Sequence, residues 1–269
     1  SNTVLQPKDQ LRVHVTEKKT SDQIVPVPMD LSVVFEDEHV LVIDKPAGMP
    51  VHPSQGHYEN TLANGIAWYY RNEATPFVFR AVNRLDRDTS GLVLLAKNPY
   101  SSCVLSDAVK DHTIHREYAA IVSGKTDASG TIDLPIARKD GSTIERVCDP
   151  ERGETAVTHY RTFAYNKDAD ISFIRLLLET GRTHQIRVHM KAIGHPLPGD
   201  FLYCPDYRFI DRQPLHSTYL RFSHPVTGEK LEFSASLPED MRKLFPDIKN
   251  PSGPASDLKD ILPLTATAF

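Results

Sequence analysis

The chain has 269 residues, of which 40% are hydrophobic and 25% charged, an ordinary make-up for a globular protein large enough to bury a core without staples. A formal net charge of −4 argues against a uniformly basic nucleic-acid-coating surface but leaves room for a local positive cleft. No apolar run approaches the roughly 20 residues of a membrane helix, the start resembles neither a signal nor a transit peptide, and three scattered cysteines without a CxxC pair argue against disulfide and cysteine–zinc frameworks and for a reducing, cytoplasmic setting.

In chain order, residues 1–30 are polar and contain Pro26 and Pro28, which predicts a short strand over 11–15 and then an extended linker. Residues 33–35 and 39–43, separated by Glu36-Asp37-Glu38, read as a β-hairpin that ends at the turn Lys45-Pro46-Ala47-Gly48. Residues 61–71 suit a helix with Asn60 as its N-cap. Residues 77–82 are extended, and the run 92–96 is apolar throughout, as a buried strand would be. A helix over 99–110 and a strand over 115–122 follow. Residues 123–155 are rich in Gly, Thr, Asp and Arg and predict hairpins with mobile loops. Two strands follow over 155–165 and 171–179. Thr183 is expected to cap a helix running to about Ile193, with Gly194 at the position where helices favour glycine after their last turn. Strands over 219–222 and 230–234 flank a turn at 225–228, and the Pro/Ser-rich residues 246–269 form a tail. Strands outnumber helices and most neighbours are joined by short turns. The expected fold is therefore α+β, one catalytic domain over residues 31–245 around a large mixed, mostly antiparallel sheet.

Two segments carry chemistry. The first is Asn83-Arg84-Leu85-Asp86-Arg87-Asp88-Thr89-Ser90-Gly91, set at the edge of the apolar strand. In extended chain Arg84, Asp86 and Asp88 share a side, so Asp86 would stand beside a cation that favours its ionised form and suits it to nucleophilic work. The plainer reading is a turn with a surface ion pair of little value. The second is Gly181-Arg182-Thr183-His184-Gln185-Ile186-Arg187-Val188-His189-Met190-Lys191. On a helix, Ile186, Met190 and Ile193 make an apolar stripe, and His184, Arg187 and Lys191 a basic one. The free N–H groups at its start favour an anion. A solvated cationic face is the plainer alternative, weakened because no carboxylate lies on the helix. His184, His189 and His195 are spaced by five and six, unlike the i, i+4 spacing of metal-binding helices, so no metal is expected.

These segments resemble a known family. Residues 83–91 resemble the HRLDxxTSG signature of the RluA-type pseudouridine synthases, and residues 180–189 their TGRTHQIRVH element, continued by Gly194-His195-Pro196 and Gly199-Asp200. Lys45-Pro46-Ala47-Gly48 with His52-Pro53, Arg116-Glu117-Tyr118, and His216 with His224-Pro225 and Gly228 complete a set of ordered elements from about Leu31 to Leu244. The resemblance implies a pseudouridine synthase fold and an isomerase of uridine in RNA that needs no cofactor. It implies Asp86 as the catalytic aspartate, Tyr118 as the residue against the target base and a candidate proton acceptor, Arg187 as the partner of the carboxylate, and Arg84 as a filler of the space the flipped uridine leaves. Arg87, Lys45, Arg182, His184 and Lys191 are the further RNA-phosphate candidates. Asn83 departs from the family's usual histidine, which bears on how Arg84 is held. The residues before Leu31 resemble the end of an S4-type RNA-binding module. The partner is then RNA, ribosomal RNA of the large subunit first and transfer RNA second, with no DNA or membrane partner, and the protein is expected to be a monomer. Rival readings are a non-catalytic RNA-binding protein, a metal-dependent hydrolase using the histidines, and a glycosidase using Asp86 and Asp88 as a carboxylate pair.

Overall fold

The computed structural model describes residues 4, 6–9, 21, 24–54, 56–72 and 77–248. The strand expected over 11–15 and the tail from residue 249 lie outside these. The elements run β1 (Ser32–Glu36), β2 (Val40–Lys45), α1 (Leu62–Tyr69), β3 (Ser90–Ala96), α2 (Pro99–Lys110), β4 (His115–Ser123), β5 (Ser129–Asp133), β6 (Ile136–Arg138), β7 (Arg146–Cys148), β8 (Val157–Asn166), β9 (Ile171–Leu178), α3 (Gln185–Ala192), β10 (Leu215–Ser223), β11 (Lys230–Ser234) and α4 (Glu239–Arg242).

Nine strands form one sheet in the order β1-β2-β3-β10-β4-β9-β8-β5, with β11 also paired to β10, and β6 and β7 form a separate hairpin. Among the described residues only the β3/β10 pairing is parallel, through His216 opposite Ser90 and Ser217 opposite Gly91. The expected mixed, mostly antiparallel sheet is the observed one. It is covered on both sides, which explains why β3 is buried along its whole length. Alternate residues serve opposite layers, as the pleat requires. Leu41, Ile43, Val93, Leu95, Ala120 and Val122 pack with α1 and α3. Val40, Val42, Leu92 and Leu94 pack with Leu105 of α2, and Ala119 and Ile121 with Met241 of α4.

At Gly91, φ is +108°, and a Cβ there would lie 2.3 Å from the Ser217 carbonyl oxygen. Only glycine lets β3 and β10 approach this closely just after the Asp86 loop.

Two helix starts differ from expectation. The cap of α1 is Thr61, which accepts from the Asn64 backbone while Asn64 reaches back to the cap, and Asn60 is not the cap. Such reciprocal capping is worth about 1 kcal/mol. α3 is preceded by His184 in the left-handed conformation, φ 58° and ψ 18°, with no side-chain cap, so Thr183 does not cap it. Gly194, at φ +84°, ends α3 as expected.

Candidate active site

The segment between residue 81 and β3 is a turn held from all sides. Leu85 is buried in the main core. Asn83 is 5% exposed, donates from Nδ2 to the Leu92 carbonyl and accepts the Leu94 N–H at 2.7 Å, which ties the turn to β3. The Thr89 N–H closes on the Asp86 carbonyl at 3.1 Å. Lys45 Nζ donates to the carbonyls of Pro46, Met49 and Arg87 at 2.8, 2.8 and 3.1 Å, and Arg212 Nη1 donates to that of Asp88 at 3.0 Å.

Lys45 is therefore no phosphate ligand. It is 0% exposed, and burial pushes its ammonium down to about 7, against the pull of Asp88 and Asp86. Three carbonyls turned inward need donors, and one buried ammonium with three N–H groups can satisfy them all.

Asp86 projects from this turn into a cleft of about 860 Å³ lined also by His52, Arg84, Arg116, Tyr118 and Arg182. Its cation is Arg187 of α3, not Arg84. Arg187 Nη1 donates to Asp86 Oδ2 at 2.7 Å, while Nε and Nη2 hold Asp200 in a fork at 2.6 and 2.8 Å. Asp200 has no exposed side-chain surface, and also accepts the N–H groups of Leu202 and Tyr203 at 3.0 and 3.2 Å. Arg187 is thus shared between two carboxylates, and the rings of Tyr203 and Phe201 lie 5.0 and 5.6 Å from its guanidinium carbon. The basic stripe expected on α3 is not a solvated face: Arg187 is 2% exposed, and its carboxylates come from elsewhere in the chain.

Tyr118 stands on β4, 4% exposed, in the same cleft. Burial pushes its phenol pKa up, Asp86 adds to the rise, and Arg116 opposes it. Arg116 is the cleft residue that sequence reasoning passed over. Among the described residues its Nε is buried without a hydrogen-bond partner, and the Arg-Glu-Tyr order was its only signal. Arg84 is exposed at the mouth. Arg182 lines the cleft but is tied to Glu154 at 2.5 Å and to the Thr155 carbonyl at 3.0 Å. Arg87 forms a two-point pair with Asp88 at 2.9 and 2.8 Å, so Asp88 and Asp86 have separate cations. Lys191 is exposed beyond Tyr203, 5.4 Å from its ring. The three histidines diverge. His184 bonds Tyr203, His189 bonds Thr158 and the Leu134 carbonyl, and His195 bonds the Ser123 carbonyl.

A family profile described as RNA pseudouridylate synthase matches residues 39–192, a span that includes the turn, β4 and α3. The chain belongs to the RluA-type RNA pseudouridine synthases. It is an isomerase acting on RNA. An uncharacterized RNA pseudouridine synthase of Bacillus subtilis (strain 168), YjbO, is 45% identical over 90% of this chain and 85% of its own length. The ribosomal large subunit pseudouridine synthase D of Zymomonas mobilis is 42% identical over 82% and 73%. Among solved structures, human RNA pseudouridylate synthase domain containing 1 superposes with a TM-score of 0.67 at 24% identity, covering 86% of this chain and 94% of that one, a likeness of fold. Among the described residues of this synthase no helix is long and apolar enough to cross a membrane.

Proposed function

We propose that this synthase converts uridine to pseudouridine in structured RNA by an aspartate-based route without a cofactor, and that its substrate is large-subunit ribosomal RNA. The observation that carries the reading is the 2.7 Å bond between Arg187 and Asp86 at the wall of an open cleft that also holds Tyr118. The reaction breaks the N1–C1′ bond, turns the base, joins C5 to C1′, and moves the C5 proton to solvent as N1 regains one. No atom is gained or lost, so a positioned carboxylate is the only reactive group the chemistry demands. Asp86 attacks the ribose or takes a proton from it, and Arg187 keeps it ionised and aimed.

The target nucleotide must leave its stack to reach Asp86, at a cost of a few kcal/mol. Arg84, Arg116 and Arg182 are placed to offset that cost through phosphates, and Arg84 to fill the vacated stack. Lys191 and Arg87 extend the same field. Tyr118 is the flat wall against the base. Burial works against the phenolate it would need in order to take the C5 proton. The ribosomal assignment is supported by relatives named ribosomal large subunit pseudouridine synthase D in Zymomonas mobilis and Pseudomonas aeruginosa, 42% and 37% identical.

The test is tritium release from 5-tritiated RNA. Asp86→Asn abolishes release while RNA binding survives, and near-normal release by that variant would refute the assignment. Pseudouridine maps of cells with and without the protein should differ in large-subunit ribosomal RNA. A difference confined to transfer RNA would transfer the substrate there, and binding without any isomerisation would favour a non-catalytic role.

A further inference from the structure

We propose that Tyr203 and His184 form a positioning pair that presents a neutral imidazole N–H to Asp86 Oδ2, leaving Oδ1 as the oxygen that meets the substrate. This rests on the aspartate-based reading above and assigns the atoms within it.

The first observation is backbone strain. His184 adopts φ 58° and ψ 18° immediately before α3, a region that side chains with a Cβ seldom occupy and that concentrates at functional sites. Its carbonyl accepts the Val188 N–H at 2.9 Å, as an N-cap carbonyl does, but its side chain makes no cap bond, so the ring is left for other partners. What it achieves is the direction of the ring. His184 Nδ1 lies 2.9 Å from the Tyr203 hydroxyl, and the two rings meet edge-on at 5.7 Å.

The second observation bears on the tautomer. The Tyr203 hydroxyl accepts the Arg146 backbone N–H at 2.8 Å. We assign the hydroxyl's own proton to His184 Nδ1, the other polar atom in hydrogen-bond contact with it, which puts the imidazole proton on Nε2. Burial pushes the His184 pKa down, and Arg187 and Arg146 work in the same sense, while Asp86 and Asp200 oppose them. The ring is neutral, and its remaining N–H points into the site.

The third observation is the aim. His184 Nε2 stands 3.9 Å from Asp86 Oδ2, the same oxygen that Arg187 binds at 2.7 Å. That gap is too long for a hydrogen bond, but such contacts tighten when a site without substrate is filled. Two donors therefore converge on Oδ2, and among the described residues no hydrogen bond is made to Oδ1. The bond or proton that Asp86 takes goes to Oδ1; when it leaves, the electron pair returns to Oδ1 and the charge is again shared with Oδ2, which stays held throughout. His184 gains and loses no proton in this scheme. It is also removed from the phosphate-binding set, since its ring is turned to Tyr203 and Asp86.

The experiment is single-turnover tritium release from 5-tritiated total RNA of cells lacking the protein, with enzyme concentration varied to separate the maximal rate from the half-saturating concentration. His184→Ala should lower the maximal rate about 10- to 100-fold, the value of a hydrogen bond to a charged group, with half-saturation unchanged. His184→Gln, which can return an N–H near the Nε2 position, should recover most of the loss. Tyr203→Phe should cost about 3- to 10-fold, as expected for a weaker, indirect bond. Because Tyr203 acts through His184, the double variant His184→Ala/Tyr203→Phe should be no slower than His184→Ala alone. Melting temperatures of His184→Gln and Tyr203→Phe keep folding separate from chemistry. A normal maximal rate in His184→Ala, or a loss confined to half-saturation with a smaller salt slope, would overturn the pair and return His184 to phosphate binding. Additive losses would overturn the coupling. A wild-type protein that releases no tritium from this RNA would instead overturn the functional reading itself, and the proposal with it.

Discussion

Two buried cations hold the turn that carries Asp86, and they do so by opposite means. Arg187 grips the side chain, with one arm of its guanidinium on Asp86 and a fork on Asp200. Lys45 grips the backbone, with its ammonium on the carbonyls of Pro46, Met49 and Arg87. The difference follows from the shape of the two groups. A planar fork suits two carboxylates and stays charged at any accessible pH, whereas a compact ammonium suits convergent carbonyls and yields its proton when desolvated. Arg187 is held above its usual range by Asp200 and Asp86 although burial works against it, while burial wins at Lys45 and brings it to about 7. In the proposed route the chemistry thus rests on the cation that cannot titrate.

Breaking the first grip has the larger effect. Arg187→Met leaves Asp200 charged, buried and unpaired, which should cost roughly 3–5 kcal/mol of stability and abolish tritium release, read by denaturant melts and single-turnover assays. A variant of wild-type stability would show that the Arg187–Asp200 pair is not the support it is taken to be. Breaking the second grip should do less. Lys45→Met removes a cation that burial already disfavours but strands carbonyls, so a stability loss of about 1–3 kcal/mol and a turnover loss of about 10-fold are expected, with RNA affinity and its salt slope unchanged. A reduced salt slope would mean that Lys45 reaches phosphate after all. A pH dependence sharpens the contrast. The unfolded lysine holds its proton up to about 10.5 and the folded one up to about 7. Between those values the unfolded state binds more protons, so this group makes the protein more stable as pH rises. The stability of wild type relative to Lys45→Met should therefore climb from pH 7 to pH 10, and a flat difference would refute the shift.

Much of this was legible in the chain, and the exceptions have physical reasons. The apolar runs and their spacing marked β2, β3, β4 and β9, and the helix expected over 99–110 is α2, which Asn98 caps. Asp86, Tyr118 and Arg187, singled out by the resemblance, line or border one cleft. Lys45 was misread because a lysine in a Lys-Pro-Ala-Gly turn looks solvated, and nothing local says that a loop some forty residues later will roof it over. Asp200 was seen only as part of a Gly-Asp motif, since its fork to Arg187 depends on how the segment after α3 folds back. The left-handed backbone at His184 carries no residue signal at all, because strain of that kind is imposed by surroundings. Asn83 shows the reverse: the amide that replaces the family's histidine finds a donor and an acceptor on β3.

The close approach at Gly91 has a consequence for how the enzyme comes into being. β10 lies between β3 and β4, yet it is made about a hundred residues after either. Until it emerges from the ribosome, the strand that bears the aspartate turn and the strand that bears Tyr118 have no common neighbour, and such distant pairings form late. A nascent chain that ends before residue 215 holds every group of the proposed reaction and should still be inert.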